Sequence, residues 1–198
     1  MAPLLRSLLD SHLLYVRAGP VENLSMAGSP QRIASHPLHA LTAPASSFVV
    51  VSESLEYFTS HALEFLDITE DVRDIVERSG VAFGQLCVFS RHTTAALILN
   101  EHEPLLLNDM ARVLSRLAPA GDYYEHNDFS IRTVNMTEDE PANGHSHCQQ
   151  LFLGTSETIP IHDGVMQTGR YQRIFLVELD HPRHRGVVVQ VLGMAAGG

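Results

Sequence analysis

Apolar positions change their texture at Ser47. Upstream, Leu4-Leu5, Leu8-Leu9 and Leu13-Leu14 recur at helical spacing near Arg6 and Arg17, until Gly19-Pro20, Gly28-Ser29-Pro30 and His36-Pro37 break the pattern. This predicts a nonessential, poorly ordered N-terminal extension over residues 1–46, with organelle targeting as the alternative. Downstream, short apolar runs alternate with turn signals. Phe48-Val49-Val50-Val51 opens an extended stretch reaching Tyr57-Phe58, and Gly84–Phe89, Ala95–Asn100, Thr158–Ile161, Ile174–Leu179 and Gly186–Leu192 read as further strands. Two segments carry helical patterning instead. Thr69 opens one, with Glu70 and Asp71 in its first turn, Val72, Ile75 and Val76 on one face and Gly80 past its end. Glu101, Glu103 and Pro104 open the other, which runs to Leu117 and is closed by Pro119 and Gly121. Strands outnumber helices at spacings too short for repeated βαβ units. Residues 47–198 are therefore expected to form one β-rich α+β domain, a sandwich carrying two main helices.

Composition narrows the partners. The 198 residues are 44% hydrophobic, enough for a substantial core, while Lys+Arg 13 against Asp+Glu 23 gives a net charge of -10 with no basic run. Neither nucleic acid nor a membrane is an expected partner, since no basic patch meets phosphates and no apolar run reaches spanning length. Cys87 and Cys148 show no paired spacing, so a reducing cytoplasm fits better than a disulfide framework.

The chemistry concentrates between His92 and His147: His92-Thr93-Thr94, Asn100-Glu101, Tyr124-Glu125-His126 and Asn143-Gly144-His145-Ser146-His147. Imidazoles set among carboxylates and small residues read as a metal or phosphate site. On an extended segment His145 and His147 would share one side, and a third ligand from His92 or His126 would leave a coordination position open for water or a phosphate oxygen; on a helical turn the pair would diverge. Asn100 is placed to hydrogen-bond a substrate or to orient a carboxylate, and Glu101 is either a base or an acid at a helix start. Gly154-Thr155-Ser156 and Gln167-Thr168-Gly169 read as close-approach loops for an anion, or as ordinary turns. Glu178, at a strand end before Asp180 and Arg183-His184-Arg185, is either a base or an ion-pair partner.

Together these motifs resemble the YjbQ-like family. His92-Thr93-Thr94-Ala95-Ala96-Leu97 with Asn100-Glu101, Tyr124 and His126, Ser146-His147 before Leu153-Gly154-Thr155-Ser156, Ile159-Pro160, and Gln167-Thr168-Gly169 with Gln172 and Glu178 carry the likeness from Ser47 to Gly193. The resemblance implies a jelly-roll-like β-sandwich, a homotrimer and, since many members are labelled secondary thiamine-phosphate synthases, transfer of a hydroxymethylpyrimidine from its diphosphate to a thiazole phosphate. On that reading His92, His126 and His147, with His145 in some members, hold a divalent ion, zinc or magnesium. Thr93, Thr94, Gly154, Thr155, Ser156, Gln167, Gly169 and Gln172 would bind a small phosphorylated substrate, while Asn100, Glu101 and Glu178 would serve catalysis. Where the family has Trp before the Gln of its Gly-x-Trp-Gln motif, this chain has Tyr171, which keeps the aromatic face and adds a hydroxyl. Two alternatives stand beside transfer: hydrolysis of a small phosphorylated or acyl substrate, and metal or ligand binding without turnover.

Overall fold

The computed structural model describes residues 32–42 and 48–195. Among them, strands β1 (Arg32–Thr42), β2 (Phe48–Phe58), β4 (Val81–Ser90), β6 (Ser156–His162), β7 (Val165–Met166) and β9 (His184–Ala195) form a six-stranded sheet in the order β1-β2-β9-β4-β6-β7. Strands β3 (Glu64–Asp67), β5 (Ala95–Glu101) and β8 (Gln172–Glu178) form a second sheet in the order β3-β8-β5. Every pairing is antiparallel. The sheets touch where the Leu97 amide donates to the Gly154 carbonyl at 2.8 Å.

Alternation along each strand decides what goes inside. In β9, Arg185, Val187, Val189 and Val191 are buried, and the three valines meet Leu55, Leu86 and Val88 from the same sheet. From the small sheet come Leu97, Ile174 and Leu176, and helix α1 (Thr69–Ser79) adds Val72, Ile75 and Val76. The opposite face of the small sheet builds a second core, in which Ala96, Phe175, Val177 and Leu179 pack with Leu114 of helix α2 (Pro104–Leu117). Strand β8 thus lies between two apolar layers, which is why its sequence is apolar almost throughout rather than alternating.

Both expected helices form. The Glu103 carboxylate caps α2, accepting the Leu105 and Leu106 amides at 2.9 and 2.7 Å. For α1, Asp67 accepts the Thr69 amide at 3.0 Å, and the Thr69 hydroxyl oxygen in turn accepts the Ile174 amide at 2.8 Å, pinning the helix to β8. Gly84 and Gly193 stand opposite each other where β4 and β9 run closest; a Cβ on Gly84 would lie 2.1 Å from the Leu192 carbonyl oxygen.

Three features depart from the sequence reading. Part of the expected extension, Arg32–Thr42, is the edge strand β1, paired along β2 with irregularities near Arg32 and Pro37; the leucine pairs lie outside the described residues. Glu101 ends β5 and does not open α2. His145 and His147 sit on a third helix, α3 (Gly144–Gln150), preceded by a single 3-10 turn at Glu125–Asn127.

Candidate functional site

The polar side chains gather where the end of β8 meets the start of β9. Glu178, on the β8 face shared with Ile174 and Leu176, and Arg185, on the inward face of β9, are both buried and meet between the sheets. The pairing is bidentate. Arg185 Nε donates to Glu178 Oε2 at 2.7 Å and its Nη2 donates to Oε1, while Nη2 also reaches Thr94 Oγ1 at 3.0 Å. The remaining capacity of the carboxylate is taken by the Thr59 hydroxyl at 2.8 Å and the Asp180 amide at 2.9 Å. With no exposed surface and four donors, Glu178 has no oxygen left for a substrate proton. The structure makes it an ion-pair partner of Arg185 that joins the two sheets, not the base that was one of its two expected roles.

Beyond Glu178 the chain turns through Leu179 and Asp180, and these hold α3. The Asn143 amide group donates to Asp180 Oδ2 at 2.9 Å, and the Ser146 hydroxyl donates to the Leu179 carbonyl at 2.7 Å. Burial opposes ionisation of Asp180, but its hydrogen bonds from Asn143 and His181 and the nearby Arg183 hold its carboxyl below the usual range. On this clamped helix His145 and His147 are two residues apart, about 200° around the axis, so they point to different sides. His147 packs edge-on against His126, with ring centroids 4.6 Å apart. His145 lies 6.4 Å from the Tyr124 ring. Burial, followed by the neighbouring His126, pushes the His147 imidazole below its ordinary pKa; burial does the same for His145, with Asp180 opposing in both. Among the described residues, four buried polar atoms around α3 have no hydrogen-bond partner: His126 Nε2, Asn143 Oδ1, His145 Nδ1 and Gln149 Oε1.

His92 stands apart from this pair. Its Nε2 accepts the Gly186 amide at 2.8 Å, which fixes a neutral ring protonated on Nδ1. Burial, then Arg185 and Arg91, keep its pKa low. Among the described residues, no three His, Cys, Asp or Glu side chains are grouped so that they could hold one metal ion, so the expected set of His92, His126, His147 and His145 is not assembled within one chain.

The remaining candidates divide along β5 and β8. Ala95 pairs with Glu178 and Glu101 with Gln172, so Asn100, Glu101 and Gln172 lie five to six residues, about 17–20 Å, from the Glu178 end. There the Asn100 amide group contacts Met110 Sδ at 3.2 Å and Glu101 is exposed. The Gly169 amide donates to Gln172 Oε1 at 2.7 Å, and Gln167 donates to the Val165 carbonyl at 3.0 Å, so this loop is closed on itself as a turn. Gly154 serves the contact between the sheets, with its carbonyl on Leu97. Thr93, Thr155 and Ser156 are exposed, whereas Thr94 is buried against Arg185.

The sequence shows Asn143 and Asp180 only as neighbours of the histidines and of Glu178, and it gives no signal for Thr59 or for Gln149, which donates to the Leu114 and Ala118 carbonyls at the end of α2. For Arg185 a signal was present: it falls in step with Val187, Val189 and Val191, and an arginine on an inward strand face requires a buried partner.

The model of the UPF0047 protein YjbQ-like family matches residues 53–194. A UPF0047 protein of Methanothermobacter thermautotrophicus is 38% identical over 144 residues, covering 73% of this chain and 93% of its own length. YjbQ of Escherichia coli O157:H7 is 34% identical over 121 residues, covering 60% of this chain and 79% of its own. Among solved structures, a YbjQ-like protein of unknown function from Sulfolobus solfataricus P2 aligns with a TM-score of 0.66 at 34% identity, covering 74% of this chain and 99% of that one. A hypothetical protein from Aeropyrum pernix K1 aligns at 0.64 with 33% identity, covering 72% and 98%.

Proposed function

The chain belongs to the YjbQ-like UPF0047 family, and from that premise we propose that it is a metal-dependent enzyme acting on small phosphorylated substrates, in the manner of the secondary thiamine-phosphate synthases. The observation that carries this reading is the pair His126 and His147, with His126 Nε2 buried and without a partner beside a ring held neutral. Neutral imidazole is the form that binds a metal, and two imidazoles suit zinc better than magnesium. Two ligands are half of a tetrahedral set, so the reading includes a further ligand from the substrate or from another subunit of a homotrimer. A divalent ion held there would neutralise the charge of a departing diphosphate. The chain's own part is positional: Asp180 and Ser146 fix α3, α3 fixes His147, and the exposed hydroxyls of Thr93, Thr155 and Ser156 are available to phosphate oxygens. The jelly-roll-like connectivity, the trimer and a cytoplasmic location belong to the same reading; no described helix is long and apolar enough to cross a membrane.

The test is to purify the protein without a histidine tag, measure bound metals by elemental analysis, and supply hydroxymethylpyrimidine diphosphate with thiazole phosphate. Thiamine phosphate and pyrophosphate in equal amounts, with zinc lost in His126→Ala and His147→Ala, is the expected result. Phosphate released from one organic substrate alone would replace transfer by hydrolysis. Zinc uptake with no turnover on any phosphate ester would leave a binding protein.

A further inference from the structure

A recess of about 310 Å³ opens in the connection between α2 and α3, lined by Asp122, Tyr123, Tyr124, Asn127, Asp128 and Phe129. Its composition is unusual for a surface turn: three aromatic rings stand with two carboxylates. Tyr123 is 73% exposed and Phe129 45%, so ring surface is left open to solvent beside negative charge. Tyr124 and Asn127 are nevertheless held in place. The Tyr124 hydroxyl donates to the Pro119 carbonyl at 2.9 Å, and its ring lies so close to Gly144 that a Cβ there would fall 2.7 Å from Tyr124 Cβ. Asn127 Oδ1 accepts the Gly144 amide at 2.8 Å, tying the turn to α3. Asp128 Oδ1 is occupied by the Ser130 amide at 3.1 Å and by the Ser130 hydroxyl, whereas Oδ2 receives a long 3.2 Å bond from the Tyr123 hydroxyl.

We infer that this recess binds a small organic cation bearing an ammonium or quaternary ammonium group, against the rings of Tyr123, Tyr124 and Phe129 and beside the carboxylates of Asp122 and Asp128. Ring faces carry negative electrostatic potential and attract weakly hydrated cations, and the adjacent carboxylates add the charge that the rings lack. A bare metal ion is the poorer match, since one Asp128 oxygen is already occupied and ring faces are no substitute for oxygen ligands. The net charge of -10 raises the local concentration of any cation at this surface. None of the lining residues is an imidazole, although the recess lies on the turn that carries His126.

The experiment is calorimetric titration of the purified full chain with choline and, in parallel, with 3,3-dimethylbutan-1-ol, its uncharged isostere. Saturable choline binding is expected, with the alcohol at least about tenfold weaker. Tyr123→Leu and Asp128→Asn should each weaken choline by about tenfold, whereas Glu125→Gln, which removes the same charge from the neighbouring exposed residue outside the recess, should leave it unchanged. Thermal unfolding of each variant checks that the fold survives. Equal affinity for the two ligands, no saturable choline signal at millimolar concentration, or equal losses in Asp128→Asn and Glu125→Gln would each overturn the proposal.

Discussion

Arg185 enters the inter-sheet space on a face otherwise built from valines, and its whole environment follows from having to neutralise it there. The bidentate bond to Glu178, closed by Thr59, Thr94 and the Asp180 amide, leaves neither charge unsatisfied. Removing one partner strands the other in the core. Arg185→Met alone should therefore cost about 3–5 kcal/mol in urea unfolding, while Arg185→Met with Glu178→Leu should recover most of it, because both desolvation penalties vanish together. A single variant no weaker than an ordinary surface substitution would mean that water reaches the pair. Histidines supply a second prediction at this scale. His92, His145 and His147 are all pushed below their ordinary value by burial, so the folded state binds fewer protons than the unfolded chain just below about pH 6.5. Stability should be flat above that pH and fall as pH drops towards the lower folded values. Asp180 and Asp67, with carboxyls held low, add a further loss only at more acidic pH. His92→Gln, which can still accept the Gly186 amide but does not titrate, should flatten part of the slope between pH 7.5 and 5.5 when urea midpoints are compared. An unchanged slope would place the effect on the other two rings.

At the level of elements, what was legible depended on length. β2, β4, β5, β8, β9, α1 and α2 each span enough residues to show a period or a continuous apolar run with end signals, and each forms close to its expected place. Helix α3 has only seven residues, two turns, which is too short for periodicity to outweigh the alternation suggested by His145-Ser146-His147. Of the two alternatives open for the pair, the helical one holds, and it puts the two imidazoles on different sides of α3. Register was a second blind spot: that Asn100 and Glu101 end up far from Glu178 follows from the antiparallel pairing of β5 with β8, which no local pattern encodes. Strand β1 was hidden because Pro37 and two histidines interrupt its alternation, as an edge strand tolerates and a central one does not. Its position carries a prediction about truncation. Removing residues 1–31 leaves the six-stranded sheet intact and should not change solubility. Removing residues 1–46 takes β1 away and opens the backbone edge of β2, so that protein should aggregate at concentrations where the shorter truncation stays clear in light scattering. Equal behaviour of the two would show that β1 does not protect the edge.

For the molecule as a whole, the outward face of the large sheet bears on assembly. Phe48 and Met194 are cross-strand partners, as are Phe83 and Met194, so the three side chains stand together across β2, β9 and β4; Phe89 and Phe58 lie towards the other end of the same sheet. Exposures of 44% for Phe48, 47% for Phe83 and 46% for Met194 leave more contiguous apolar surface than scattered surface residues would. A net charge of -10 sets copies of the chain against one another, yet that repulsion is screened within about 8 Å at physiological salt, whereas apolar burial acts at contact and is not weakened by salt. Association through this face should therefore strengthen as salt rises, and, on the trimer proposed above, sedimentation at micromolar concentration should give three copies. Phe83→Glu with Met194→Glu should shift the species to monomer while circular dichroism remains native, since neither side chain belongs to either buried core. The His126 and His147 pair lacks a third ligand within the described chain, so if a neighbouring subunit supplies it, the monomeric variant should lose zinc at the same time as it loses assembly. Full zinc in a folded monomer would separate the two properties and return the missing ligand to the substrate or to solvent.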